Sequence, residues 1–420
     1  ARRAWFFRVS PAGFAGRMGR LYTSDCPVFR SVVAEEDLGR FHLSEEDLVH
    51  ILRQIYDRDF NPETNIQREL YSHTLKFLND AVDNGFTLKT EENREFIEQL
   101  KYNNAVFAAF KTHREQNDLA ELLLDGEGKP RSFSDFRKAT EPVIGAYNVN
   151  WLHTEYLTAI KSARTAEMFK RFEADKDLFP NVRWLPSRAV EPRESHRVYW
   201  NQVRRLDDRW WLTHYPGCLW GCQCDVENTA DPITHIGYNP VDPNAPTLEE
   251  DTKEVSPGLD QNPVFTGSIF TKTHPYITEA YPSAKEAVEH FMGNQAFKEK
   301  VKQQRQEIRD WAKLNLLDKT ANVPKLSREV SFTSTGIKES LNQPHKYLLE
   351  KNEAVRDILH LIQSGKYVRF DPDIKGNQMV RGYHYIEIEI EGEPSFIVIR
   401  ELNNGGMVFY SIVDKLKKKE

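Results

Sequence analysis

Residues 193–225 read RESHRVYWNQVRRLDDRWWLTHYPGCLWGCQCD, and no other stretch of the chain gathers so much chemistry. Three of the four cysteines (Cys218, Cys222, Cys224), four of the eight tryptophans (Trp200, Trp210, Trp211, Trp220) and two histidines (His196, His214) fall inside it. Indoles, thiols and imidazoles are costly to expose and able to ligate or react, so their clustering predicts a compact, irregular α+β knot. Zinc prefers thiolate and imidazole ligands, and Cys222, Cys224 and His214, with His196 or Cys218, would fill a closed four-ligand site. The spacing is neither a finger nor a ribbon, because Cys222-x-Cys224 is tight and its partners come from a long loop. The plainer alternative is buried, unliganded cysteine packed against tryptophan. A Cys218–Cys222 disulfide fits a reducing compartment poorly. A Cys/His nucleophile pair would need an oxyanion hole that nothing in the sequence marks.

Working outward toward the N-terminus, the texture is helical. Ser44-Glu45-Glu46-Asp47 reads as a hydroxyl cap followed by acids suited to the positive end of the dipole, with Leu48, Ile51, Leu52 and Ile55 on one face. A second helix fits Glu63 to Val82. A third fits Glu92 to about Leu124, with Phe96, Leu100, Phe107 and Phe110 on one side and charges on the other. Ser132 to Asp135 caps a shorter helix, and Asn148 to about Asp175 reads as a long one. The opening before Ser44 reads as irregular. Its Ala-Arg-Arg-Ala-Trp-Phe-Phe start resembles a signal peptide's charged opening until Arg8, Ser10 and Pro11 cut the apolar run short. The first residue is not methionine, so the natural start is expected upstream.

Toward the C-terminus, prolines 232, 240, 243, 246, 257 and 263 mark a long irregular connector that either wraps the preceding domain or links it loosely. Ser283-Ala284-Lys285-Glu286 is a capping-box pattern opening a helix to about Leu317. Its middle, Lys298 to Arg309, is polar almost all round and reads as a solvated spacer. Then follow the string from Phe332 to His345, a helix from Lys346 to about Gln363, and three strands. Tyr383 to Ile390 alternates strictly, Phe396 to Ile399 is continuously apolar, and Met407 to Val413 closes a meander after the Asn404-Gly405-Gly406 turn. The fold class is therefore an α+β multidomain chain with a mostly helical N-terminal half, a Cys/Trp-rich knot, and a C-terminal helix plus antiparallel meander. The expected divisions are 1–147, 148–230, 231–282, 283–328 and 329–420.

The totals narrow the function classes. A formal charge of −6 with 39% hydrophobic and 29% charged residues describes a polar folded chain, not a general nucleic-acid coat. Four unevenly spaced cysteines in 420 residues do not make a secreted disulfide framework. No apolar run approaches the ~18 residues of a membrane span. In the last segment, a metal-free ribonuclease would need a base, an acid and a cation for the phosphate, and His345, Lys338, His384, Arg400, Tyr410 and Ser411 are the residue types for those roles. The plainer reading places His384 in the core and Tyr410 and Ser411 as ordinary strand residues.

The segment from about Asn148 to Asp225 resembles the phage Mu F-like head morphogenesis family of minor head proteins. The matching residues are Arg193, Ser195-His196, Asp208 with Trp210 and Trp211, His214 with Pro216, and Cys222-Gln223-Cys224. Gln223 stands where that family usually has Arg, and His214-Tyr215-Pro216-Gly217 replaces a double-proline turn. The tail from about Ser331 resembles phage-associated nuclease domains of the barnase, EndoU, colicin and RelE group through Gly336-Ile337-Lys338, Asn342-Gln343-Pro344-His345 and Phe409-Tyr410-Ser411. These resemblances imply a virion component at the capsid interior or portal vertex, with portal and capsid proteins as partners. They also imply a ribonuclease-like tail acting on RNA in the host bacterial cytoplasm, with an immunity protein as a further partner.

Overall fold

Local capping chemistry places the helix starts. In the computed structural model, Ser44 Oγ accepts from the Asp47 amide at 3.1 Å and Ser132 Oγ from the Asp135 amide at 3.2 Å, opening Glu45–Tyr56 (α2) and Phe133–Gly145 (α5). The structure describes residues 11–23, 38–189, 194–234, 255–317, 319–373, 377 and 379–416. Arg193 and Cys26 lie outside them, as do prolines 240, 243 and 246 of the expected connector. The chain forms two compact units, Ala1–Met292 and Gly293–Glu420, and the helix Ala284–Asn315 (α10) carries the division within it.

The first unit is built on Pro11–Thr23 (α1), Arg68–Gly85 (α3), Glu91–Glu121 (α4) and Leu152–Ala174 (α6). The opening expected to be irregular thus contains α1, which begins with proline at its first position, where a missing N–H costs nothing. Phe14, Met18 and Tyr22 of α1 join Leu78, Leu100, Phe107, Leu152 and Ala159 in the main core. Leu259, Ile269, Phe270 and Tyr276 belong to the same core, so the described end of the connector wraps the unit. Gly85 lets α3 and α6 approach closely, since a Cβ there would lie 2.4 Å from the Ile160 carbonyl oxygen.

One expectation holds only in part. Glu91, Glu92, Arg94, Glu95 and Glu98 near the start of α4 are exposed, but every residue from Lys111 to Asp118 is buried. Most of these charges meet partners, some on the same helix and others on distant elements. Lys111 Nζ lies 2.5 Å from Glu155, which also accepts from the hydroxyls of Tyr22 (2.9 Å) and Tyr276 (3.0 Å). Arg114 pairs with Asp118 at 3.0 Å, and Asp118 accepts from Tyr147 and Tyr281. Between α5 and α6 the backbone widens into a π-turn, Ala146–Trp151, which brings Tyr147 and Asn148 to Asp118 and Glu115.

The knot follows α6. Asn181–Leu185 (β1) is the centre of a three-stranded antiparallel sheet, with Val203–Arg205 (β2) and Asp225–Thr229 (β3) at its edges. Glu194–Arg197 (α7) lies between β1 and β2; Pro263–Thr266 (α8) and Pro275–Thr278 (α9) are short turns after β3.

In the second unit the expected meander is the middle of a larger, six-stranded sheet. Its order is Thr320–Val323 (β4), Arg328–Ser331 (β5), Met407–Val413 (β9), Glu393–Leu402 (β8), Val380–Ile390 (β7) and Lys366–Pro372 (β6). All neighbours are antiparallel except β5 and β9. One face carries Ile386, Ile388, Ile397, Ile399, Phe409 and Ile412 into a core with Ile308 and Ala312 of α10. Ile337 and Leu341 of Ser334–Asn342 (α11) join it. Gly336 makes that packing feasible, because a Cβ would meet the Phe409 carbonyl oxygen at 2.1 Å. The single helix expected after Lys346 is instead Leu348–Glu353 (α12), a 3-10 turn Ala354–Asp357, and Ile358–Ser364 (α13). Among the described residues no helix is long and apolar enough to cross a membrane.

Candidate metal centre

Three side chains of the knot converge on one point. His196, carried by α7, presents Nδ1 to two sulfurs, with Cys222 Sγ at 3.5 Å and Cys224 Sγ at 3.6 Å. The ligand atoms of these three residues all lie within 4.8 Å of one another. Zinc bond lengths of roughly 2.0 and 2.3 Å at a tetrahedral angle give an N···S edge of about 3.6 Å, so the spacing fits that ion. The alternation of an extended segment explains the pair: in Cys222-Gln223-Cys224 both thiols are buried while Gln223 is exposed.

The remaining candidates take other places. Cys218 Sγ lies 3.9 Å from Nε2, the other nitrogen of the same ring, so it abuts the imidazole from the side away from Cys222 and Cys224. There it can accept from Nε2–H and hold the tautomer that frees Nδ1 for an ion. His214 is not in the group. It stacks on Trp210 (ring centroids 4.7 Å apart, interplanar angle 12°), and its Nδ1 meets Thr213 Oγ1 at 2.9 Å. All three described cysteines are free thiols.

The electrostatics favour a cation. Cys222 is held well below the usual thiol range, first by the hydrogen bond from Cys224 and, against burial, by His196. Cys224 is pushed up by Cys222 and by burial. Burial lowers His196, but Cys222 and Cys218 outweigh it and raise the imidazole to about 10. Without an ion, these shifts favour a thiolate on Cys222 beside a protonated His196. The indole N–H groups of Trp184 and Trp200 are buried with no oxygen or nitrogen acceptor among the described residues, and both indoles favour the Cys224 thiolate. An ion of charge +2 would displace the imidazolium proton and the remaining thiol proton.

Aromatic packing and backbone pins hold the three donors. Trp184 of β1 lies edge-on to His196 at 5.5 Å and parallel to Trp211 at 6.2 Å. Asp208 caps the turn Arg209–Leu212, accepting from the Trp210 amide at 2.9 Å, and pairs with Arg204 at 3.4 Å. Thr165 Oγ1 of α6 donates to the Pro216 carbonyl at 2.8 Å, and Tyr215 donates to the Leu259 carbonyl. A cavity of about 220 Å³ adjoins Cys222 and is lined by Lys161, Arg164 and Gln223 among others. Trp184 was missed in the sequence because it lies outside the dense stretch.

The residues expected to be catalytic in the tail are dispersed. His345 Nε2 contacts Ser395 Oγ at 3.1 Å, and His384 Nε2 contacts Glu401 Oε2 at 2.9 Å. In the β7–β8 register Ser395 is opposite Ile388 and His384 is opposite Ile399. Four residues of strand therefore separate the two histidines' places, about 13 Å. Arg400 and Tyr410 stack on the other face of the sheet, with the guanidinium 3.9 Å from the ring. Ser411 is buried opposite Val398, and Lys338 is exposed on α11. Glu401 also binds Arg328 and Arg381, and these bonds overcome burial to hold its carboxyl at about 2.

Parts of the chain are similar to known proteins. The chain is 30% identical over 154 residues to the putative capsid assembly protein F of Escherichia phage Mu, a match covering 36% of this chain and 30% of that protein. It is 33% identical over 76 residues to the Mu-like prophage FluMu F protein of Haemophilus influenzae, covering 18% of this chain and 17% of the relative. The matches thus span less than a third of either relative. Residues 299–410 match the family described as Large polyvalent protein-associated domain 3. No solved structure matches the chain.

Proposed function

We propose that this chain is a phage or prophage minor head protein that acts in head assembly beside the portal and capsid proteins and stays in the virion. The similarity to the Mu capsid assembly protein F carries this reading. In it, the knot is an architectural element, and His196, Cys222 and Cys224 hold a structural zinc ion that pins α7 to the loop before β3. The test is to tag the chain in its own phage or prophage and purify the particles. Cosedimentation with both empty and DNA-filled heads is expected. Normal heads that lack the chain, formed equally well in its absence, would overturn the proposal.

A second reading keeps a ribonuclease in residues 329–420. The one observation in its favour is the His384–Glu401 pair flanked by Arg328 and Arg381, an acid–base couple beside two cations. His384 and Glu401 are buried, however, and the other histidine lies far along the sheet. Neither the two relatives' names nor the family description mentions a nuclease. Growth arrest on expression of the chain, relieved by His384→Ala, would support this reading; harmless expression would remove it.

A further inference from the structure

The polar middle of α10 is not evenly solvated. Lys298, Lys302, Arg305 and Arg309 recur at intervals of four, three and four residues, which on an α-helix confines them to an arc of about 60°. Glu299, Glu307 and Asp310 lie a quarter to a half turn away. The four cations line a groove of about 430 Å³ in the second unit, completed by Phe297, Val301, Asn342 and Leu348. Lys302 has one exposed ionic partner, Glu299 at 3.5 Å, and Arg309 donates to Gln306.

Two features separate this groove from an ordinary charged helix face. Arg305 Nε is buried and has no acceptor among the described residues, an arrangement that an incoming oxyanion would complete. Lys351 is fully buried with its ammonium on the carbonyl oxygens of Ser340 (2.5 Å) and Gln343 (3.1 Å), and among the described residues no carboxylate pairs with it. Burial and then Arg305 pull that lysine down to about 7. Nearby Glu353 is engaged by Arg356 and Gln304.

The row is too long for a single anion. Eleven residues of helix extend about 16 Å, whereas a nucleic-acid strand presents a phosphate every ~3.4 Å of duplex axis. We propose that this groove binds the phosphodiester backbone of nucleic acid, with Lys298, Lys302, Arg305 and Arg309 as phosphate contacts. Phe297, 47% exposed at the groove, is available to stack on an unpaired base. With a net charge of −6 the chain can attract phosphate only through a local basic face, and the four cations set the salt dependence of the binding. The inference does not rest on the head-assembly reading.

The experiment is fluorescence anisotropy of the full chain with a labelled duplex DNA and a labelled single-stranded RNA of mixed sequence, across a salt series. Both should bind at low salt. Lys298→Gln with Lys302→Gln, both exposed, should weaken binding at least about fivefold and lower the duplex salt slope by roughly two contacts' worth, ~1.8. Arg305→Gln with Arg309→Gln should weaken it further. Lys300→Gln with Lys366→Gln removes the same charge elsewhere and should leave affinity within about twofold. No binding by the unaltered chain, an equal loss in the control pair, or an unchanged slope in the Lys298/Lys302 variant would overturn the proposal. Displacement by millimolar inorganic phosphate would overturn it too, by reassigning the groove to a small anion.

Discussion

The knot and the C-terminal sheet both carry histidines, yet only the knot concentrates its chemistry. His196 meets two sulfurs at one ring nitrogen and a third at the other. His345 and His384 bond to different residues of the sheet, Ser395 and Glu401, and Arg400 and Tyr410 lie behind it. The difference comes from backbone geometry. A strand sends successive side chains to opposite faces at a fixed rise, so residues close in sequence are spread over two surfaces. An irregular loop braced by tryptophans can fold back and aim residues far apart in sequence at a single point.

The largest effect should come from breaking that point. Cys222→Ser with Cys224→Ser, or chelation of the unaltered chain, removes the ion's ligands or the ion, and a structural zinc supplies much of the folding free energy of so small an element. We expect about one zinc per chain in reduced, freshly purified protein and none in the double variant, with the midpoint of thermal unfolding lowered by roughly 10 °C or more. Tryptophan fluorescence reads this unit, since Trp151, Trp184, Trp200, Trp210, Trp211 and Trp220 lie in it. His214→Ala should leave the zinc content unchanged, because His214 stacks on Trp210 outside the group. Loss of zinc in that variant would move the ligand set.

The next effect belongs to the sheet and concerns charge, not ligation. Glu401 is buried among Arg328, Arg381 and His384, so Glu401→Gln leaves cations without their counter-charge. Breaking a buried pair costs several kcal/mol, but Arg328 and Arg381 are partly exposed and screened, so about 2 kcal/mol is expected. The pH dependence has a definite sign. The folded carboxyl sits at about 2, below its unfolded value, so its contribution is present above the usual carboxylate range and is lost as pH falls through about 2. Hydrogen exchange along β7 and β8 should quicken in the variant at pH 7, and the gap from the unaltered chain should close on acidification. Equal exchange at pH 7 would mean that the cluster carries no stability.

How much could be read from the sequence follows the same division between local and distant causes. The caps at Ser44 and Ser132, the strand Tyr383 to Ile390 and the clustering around Cys222 were legible because their causes lie within a few residues. The short strands β4 and β5 were not: each is four residues, too short to show a period, and they pair chiefly with each other, with β5 meeting β9 at Ser331 opposite Val408. His214 and Cys218 fit a ligand list by residue type, and only the fold shows which way each faces. The buried octet Lys111 to Asp118 misled for the same reason, since its partners Glu155, Tyr147, Asn148 and Tyr281 come from distant segments. That octet yields a smaller test. Burial pushes Glu115 up to about 8 against the pull of Lys111 and Asn148, so stability falls as pH rises from the ordinary carboxylate range toward 8. Glu115→Gln should raise the unfolding midpoint by a few degrees at pH 8 and by less at pH 5. A loss at pH 8 would show that the charged form is the one the fold requires.

The smallest effect should come from His345, the residue that chemistry alone singled out in the tail. Its ring is partly buried, which lowers its affinity for a proton, and its bonds are to Ser395 Oγ and the Tyr347 amide. Both bonds join it to its own unit. His345→Ala should therefore cost about 1 kcal/mol, the worth of an ordinary hydrogen bond, and leave zinc content and head assembly unchanged. Ser395→Ala should cost a similar amount, and the double variant should cost less than the sum, because the two side chains share a bond. If His345→Ala instead abolished an RNA-cutting activity while leaving hydrogen exchange in β8 unaltered, His345 would be a working group after all. The sheet, like the knot, would then hold a site that converges in space, with the substrate bridging what the strands keep apart.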